Sequence, residues 1–360
     1  MSGSPLENAV NTANTTNGAP TTAYLFAYFT GQEQRHSDEQ IYFAVSRDGA
    51  HWEDLTADGH PVLESRIGEK GVRDPYLLRR HDDSGFVLIA TDLSIHARGG
   101  WGHSYSTVNG STGLIVWESA DLVHWSNARL VDVASRIPGA GMAWAPEAVW
   151  DEDRGQYIVF WSTAANGEFG SPLSNVKGST TNVYYATTTD FSVFSDPVRW
   201  IDVEHSIIDT TMLRADDGWW YRASKDDRIV IERTRNPYAV TESIEVRDDP
   251  RQWSLVGSLQ SIFGNDHYSA RYLEGPELFR YNDADVRTVN SRRMAYGLMA
   301  DQYHESRGYL PFRCADLASA DPADWQPADD VDFGPLKKRH GTILPITEAE
   351  YRAVIAAFKR

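Results

Sequence analysis

The chain has 360 residues and a net charge of −17 from 34 basic and 51 acidic side chains, a balance that repels polyphosphates and argues against nucleic acid as a partner. Its one cysteine, Cys314, excludes an internal disulfide and a cysteine-based zinc cluster. No apolar run approaches the roughly 18 residues needed to span a bilayer.

Met1 to Thr22 is rich in Ser, Thr, Asn, Gly and Pro and lacks the basic start and apolar stretch of a secretory signal. It reads as a disordered lead over 1–22, ahead of a single domain over 23–360. The missing signal points to a cytoplasmic chain, unless a leader has been trimmed away. Twelve Trp, 17 Tyr and 13 Phe lean the remainder towards strands and supply flat faces on which sugar rings stack.

From Tyr24 to about Leu63 the pattern gives three strands, and then a hairpin recurs. Asp74-Pro75-Tyr76-Leu77-Leu78 turns through Asp82-Asp83-Ser84-Gly85 into a second apolar strand. Pro146-Glu147-Ala148-Val149-Trp150 turns through Asp153-Arg154-Gly155, and Asp209-Thr210-Thr211-Met212-Leu213 through Asp216-Asp217-Gly218. Glu274-Gly275-Pro276-Glu277-Leu278 opens a fourth copy, and His340-Gly341-Thr342-Ile343-Leu344 ends the series. Asp and Gly suit such turns because they accept positive φ or bond their own backbone.

A second landmark, Ser/Thr/Ala-x-Asp followed by Trp, runs Asp48/Trp52, Asp121/Trp125, Asp190/Trp200, a degenerate copy near Asn236, and Asp316/Trp325, so that Asp48 to Asp316 spans four periods of about 67 residues. Four short strands per period predict propeller blades; a helical solenoid would repeat sooner and with a 3.6-residue rhythm. The first copy lacks an innermost strand and the His340 segment supplies one. The pattern therefore predicts an all-β, five-bladed propeller closed by one C-terminal strand joining an N-terminal three-strand blade. Thr347-Glu348-Ala349-Glu350 is a capping box, and Tyr351, Val354, Ile355 and Phe358 share one face of the short helix it starts.

Innermost strands of a propeller begin around one axis, so Asp74, Glu147, Asp209, Glu274 and His340 are expected to meet there. Singly, each acid is equally explained as a turn cap. Together they are the equipment of glycoside hydrolysis, in which one carboxyl stays ionised while another keeps its proton. The long Gly-rich segment from Ser94 to Ser111 reads as a binding wall. Its Trp101, and Trp144 of the next blade, are candidate sugar platforms, with plain packing the alternative for each.

The local motifs Arg73-Asp74-Pro75, Trp144-Ala145-Pro146-Glu147, Ile208-Asp209-Thr210, Glu274-Gly275-Pro276-Glu277 and Arg339-His340-Gly341 closely resemble the blade motifs of glycoside hydrolase family 43. The resemblance covers about Tyr24 to Thr347 and implies a five-bladed propeller and an inverting mechanism. It implies Asp74 as general base, Glu274 as general acid and Asp209 as modulator of the acid's pKa, with the two carboxyls roughly 6.5–9.5 Å apart. Glu147 stands in a motif that often ends in Asp, and is expected to bind substrate or to support the site from behind. Many members carry the base near the N-terminus, whereas three strands precede it here; that moves the closure and keeps the motif order.

The resemblance further implies exo-acting release of terminal α-L-arabinofuranosyl residues, with β-D-xylosidase the runner-up and endo-arabinanase behind both. The expected partner is an arabino- or xylo-oligosaccharide, with no membrane or nucleic acid. No cofactor is required for such chemistry. Some members hold calcium in the channel through a histidine, so His340 is the candidate metal ligand, the alternative being a bond to neighbouring backbone or carboxylates. A non-catalytic, glycan-binding propeller is the rival of a different class. It has no reason to keep acids at several blade tips.

Overall fold

A computed structural model of the chain describes residues 15–16, 19–56, 58–103, 105–165, 181–264, 272–303 and 307–359. Blade I contains β1 (Thr15–Thr16), β2 (Ala19–Phe29), β3 (Tyr42–Ser46) and β4 (Trp52–Asp54). Blade II runs β5 (Val72–Arg79), β6 (Phe86–Asp92), β7 (Gly113–Ser119) and β8 (Arg129–Asp132). Blade III runs β9 (Trp144–Asp151), β10 (Gln156–Ala164), β11 (Thr181–Thr188) and β12 (Val198–Ile201). Blade IV runs β13 (Ile208–Arg214), β14 (Trp220–Lys225), β15 (Ile229–Thr234) and β16 (Ser254–Ser258), and α1 (Leu259–Phe263) follows it. In blade V, β17 (Leu273–Arg280) is followed by the small hairpin β18 (Arg287–Val289) and β19 (Arg292–Met294). Its sheet then continues with β20 (Tyr296–Gln302), β21 (Tyr309–Cys314) and β22 (Trp325–Pro327).

The last strand, β23 (Arg339–Thr347), pairs antiparallel with β2 and becomes the innermost strand of blade I. The anticipated five-bladed propeller with a C-terminal closing strand is thus what the chain forms. The inner strands β5, β9, β13, β17 and β23 neighbour one another in a closed circle around the axis. Pairing with β23 covers the inner edge of β2, which a three-strand blade would leave unpaired.

The anticipated lead over 1–22 needs correction at its end. β2 begins at Ala19, and Thr21 sits opposite Thr347 of the closing strand. β-Branched Thr21 and Thr22 suit a paired strand. The rest of the lead, apart from the two residues of β1, lies outside the described residues.

Five apolar clusters fill the five gaps between blades. Leu25, Phe43 and Leu88 pack between blades I and II, and Ile89, Val159 and Trp161 between II and III. Phe160, Trp200 and Met212 join III to IV, Ile231, Leu298 and Phe312 join IV to V, and Tyr24, Phe26 and Tyr281 join V to I.

The recurring Ser/Thr-x-Asp landmark is the turn between the third and fourth strands. Ser119 Oγ accepts from the Leu122 N–H at 2.9 Å, and Asp121 Oδ1 accepts from the Val123 and His124 N–H groups at 3.0 and 2.8 Å. Asp48 and Asp190 repeat the device in blades I and III. α2 (Glu348–Phe358) starts at the expected capping box, with Thr347 and Glu350 bonded reciprocally, and lays Val354 on the core shared by blades I and II. Among the described residues no helix is long and apolar enough to cross a membrane.

Candidate active site

Each inner strand carries a bulge where it enters the channel, and the bulges set the phase of the site. Two residues are left out of the ladder in every blade: Asp74-Pro75, Ala145-Pro146, Asp209-Thr210, Gly275-Pro276 and His340-Gly341. The first of each pair has a positive φ in four blades: 49° at Asp74, 49° at Ala145, 53° at Asp209 and 52° at Gly275. A bulge re-aims side chains, and proline fits its second place because no ladder N–H is needed there.

The expected phase is corrected by this register. Asp74, Asp209 and His340 are equivalent positions, with Ala145 and Gly275 completing the ring. Glu274 stands one residue earlier, level with Arg73, Trp144, Ile208 and Arg339. Glu147 stands two residues past Ala145, level with Tyr76, Thr211, Glu277 and Thr342. At Gly275 the missing side chain makes room: a Cβ there would meet His340 Cγ at 2.6 Å.

Asp74, Asp209, Glu274 and His340 open together into one cavity of about 420 Å³ at the channel mouth. Trp101 and Trp144, the two expected platforms, line it with their rings 6.1 Å apart and nearly perpendicular at 79°. Trp101 is 50 % exposed. A larger depression of about 590 Å³, lined by Pro61, Glu64 and Trp125 among others, holds none of these acids.

Asp74 accepts from the Thr91 hydroxyl at 2.8 Å, and its other oxygen lies 3.5 Å from His340 Nδ1. Burial would raise its pKa, yet the His340 contact, the Arg73 charge and Thr91 together hold it below the usual carboxylate value. Asp209 accepts from the Gly275 N–H at 3.0 Å. Burial and the charge of Asp74 raise its pKa against the pull of His340 and Lys225.

Glu274 is held by Arg339 at 2.8 Å and faces Lys225 at 3.6 Å. Burial, reinforced by the charges of Asp209 and Asp301, outweighs both cations and pushes it up to about 7. One cavity thus holds a carboxylate kept ionised and a carboxyl that keeps its proton near neutrality. That is the pairing general acid–base chemistry requires.

Glu147 lies below the cavity. It is buried beside Glu277, takes the Met212 N–H and the Thr211 hydroxyl, and is pushed well above the usual range by burial and by the Glu277 charge. Glu277 accepts from the Ile343 N–H at 3.0 Å, and burial lifts it to about 8. The expected substrate contact at Glu147 is therefore not what the geometry provides, because the bulge carries its side chain past the mouth.

His340 sits among acids. Burial opposes its charge, but the contact with Asp74 and the negative charge of Asp209 and Asp301 raise it to about 9. Among the described residues no three His, Cys, Asp or Glu side chains are placed to hold a metal ion. The described residues around His340 do not assemble the set of side-chain oxygens that calcium takes, and no step below runs through one.

Sequence reading left four residues at or beside the site without a role. Arg73 and Arg339 immediately precede equivalent bulges, as Arg-Asp and Arg-His, and that repetition was a usable signal. Lys225 reaches Glu274 from the end of β14, and Glu33 reaches Arg73 and Trp101 from the β2–β3 loop. Neither has a motif around it.

A five-bladed propeller whose mouth pairs an ionised with a protonated carboxyl beside two indoles has the equipment for general acid–base chemistry in an aromatic-walled pocket. The chain belongs to the family related to glycoside hydrolase family 43: the model described as "Probable glycosyl hydrolase domain" matches residues 19–352. It is 31% identical over 309 residues to an alpha-L-arabinofuranosidase of Bifidobacterium longum subsp. longum, covering 79% of this chain and 27% of that protein. The chain thus spans about a quarter of the length of this relative.

Among solved structures it is similar to a thermostable family-43 glycoside hydrolase, with 18% identity, a TM-score of 0.46 and 77% of each chain covered. It is also similar to an exo-beta-1,3-galactanase from Phanerochaete chrysosporium, with 16% identity, a TM-score of 0.45, and 78% of this chain and 52% of that one covered.

Proposed function

We propose that the protein hydrolyses glycosides with inversion, releasing terminal α-L-arabinofuranosyl residues from oligo- or polysaccharides. The observation that carries this reading is the split between Asp74, held ionised, and Glu274, held protonated to about 7, across one cavity. Asp74 is the general base that takes a proton from water, and the water oxygen attacks the anomeric carbon. Glu274 gives its proton to the departing glycosidic oxygen as that bond breaks. His340 keeps Asp74 ionised by charge, and Asp209 helps keep Glu274 protonated before attack. Arabinofuranose as the sugar is supported by the likeness to the Bifidobacterium longum enzyme.

The test is hydrolysis of aryl α-L-arabinofuranoside and aryl β-D-xyloside, with the first anomer released followed by NMR. The expected result is faster turnover of the arabinofuranoside and initial release of the β-anomer. Release of the α-anomer first from the arabinofuranoside, or of the β-anomer first from the xyloside, overturns inversion. A faster xyloside moves the assignment to β-D-xylosidase, and turnover of neither overturns the reading.

A further inference from the structure

The wall of the pocket belongs to blade II by sequence but is fastened to blade I. Glu39, buried in the β2–β3 connection, accepts from the Ser94 hydroxyl at 2.8 Å and from the Ile95 and His96 N–H groups at 2.8 and 3.1 Å. The root of the β6–β7 loop is therefore tied across the blade boundary. Farther along, the Trp101 indole N–H donates to Glu33 Oε1 at 2.9 Å, and the same oxygen accepts from Arg73 Nη1 at 2.9 Å. Arg73 also bonds Glu39 at 2.9 Å, and its guanidinium lies 5.2 Å from the Trp101 ring centre. Glu33 holds this place with a left-handed backbone, φ 60°.

An exposed tryptophan at a rim has two free torsions, and ordering them on binding costs affinity. A hydrogen bond at the N–H end fixes the ring plane beforehand. Glu33 does not line the cavity, and it does not touch Asp74, Asp209 or Glu274. Its reach into the site is through Trp101.

We infer that Glu33 is a positioning residue for substrate recognition: it latches the Trp101 indole at right angles to Trp144, closing the blade I–II side of the pocket into a corner that fits one neutral sugar ring. This rests on the glycosidase reading above. The latch is built from two blades, so a change in either loop alters the fit of the sugar while the carboxyls stay where they are. Removing Glu33 leaves Arg73 paired with Glu39, so the charge beside Asp74 persists.

Steady-state kinetics of Glu33→Ala, Glu33→Gln, Trp101→Phe and the Glu33→Ala/Trp101→Phe pair test the latch. Glu33→Ala and Trp101→Phe are each expected to raise KM about 3- to 10-fold, the scale of one lost hydrogen bond, with kcat within about twofold. The double variant should be no worse than the poorer single, and Glu33→Gln, whose amide oxygen still accepts the indole N–H, should stay near wild type. The acid limb of the pH profile should not move. Additive losses, a fall in kcat at constant KM, or a shifted acid limb each overturn the latch.

A second readout needs no substrate. The Trp101 contribution to fluorescence anisotropy, taken as wild type minus Trp101→Phe, should fall in Glu33→Ala and hold in Glu33→Gln; unchanged anisotropy in Glu33→Ala overturns the latch. A wild-type protein that cleaves no glycoside, with this fall still seen in Glu33→Ala, would overturn the glycosidase reading and keep the latch.

Discussion

Two levels of the same channel hold glutamates with opposite surroundings. At the mouth, Glu274 faces a cavity and is gripped by Arg339 and Lys225. Three residues further along the same strand, Glu277 is buried against Glu147, and among the described residues neither has a salt bridge to a cation. The deeper level stitches blades together. Thr211 accepts from the Leu278 N–H at 3.1 Å, Thr342 from the Leu77 N–H at 3.2 Å, and Glu277 from the Ile343 N–H, each crossing a blade boundary. A carboxyl thus opens to the cavity or is buried between blades according to a step of roughly 7–10 Å along one strand.

Substitution at the mouth should cost activity, and substitution below it should change stability alone. The largest effect is expected for Asp74→Asn, which removes the proposed base: kcat should fall by about 10²–10⁴-fold with a small change in Tm, checked by kinetics and calorimetry. Wild-type rates in that variant would break the contrast outright. Glu274→Gln should lose a similar factor on an alkyl arabinofuranoside but only about tenfold or less on a dinitrophenyl one, which departs without a proton. Equal losses on both substrates would remove Glu274 from the acid's role.

Next in size is a shift in pH dependence. Activity should fall as pH rises through about 7, where Glu274 loses its proton. Lys225 favours the ionised form of Glu274 by charge, so Lys225→Met should raise the acid's pKa and move the alkaline limb upward by about half a unit to one unit. A downward shift would mean that Lys225 acts by another route.

The smallest effect belongs to the deeper level. Glu277 titrates at about 8 in the fold and near the ordinary 4.5 when unfolded, so the native state holds the extra proton between those values and stability declines as pH rises across that window. Glu277→Gln keeps an acceptor for Ile343 and has no charge to suppress. It should raise Tm at pH 8 by roughly 2–4 °C, do less at pH 5, and leave kcat unchanged. Lost activity would join the two levels into one functional unit.

The architecture was legible because the turns repeat. Asp/Gly hairpins and Ser/Thr-x-Asp landmarks recur at blade spacing for local backbone reasons, and local chemistry is what a sequence displays. The closing strand was legible from the missing inner strand of the first copy. The phase of the site was not, because a bulge adds residues without announcing them. Aligning acid with acid put Glu147 at the mouth; aligning proline with proline in Ala145-Pro146-Glu147 and Gly275-Pro276-Glu277 would have set Glu147 beside Glu277. The partners Lys225 and Glu33 were hidden for another reason: they meet Glu274 and Trp101 only through folding, across 49 and 68 positions of chain.

The closing strand has a temporal consequence. Arg339 and His340, which neutralise Glu274 and Asp74, both arrive on β23, the final strand of the propeller to leave the ribosome. A nascent chain with four blades folded would hold its acids without these counter-charges, so competence should switch on in one step when β23 zips onto β2.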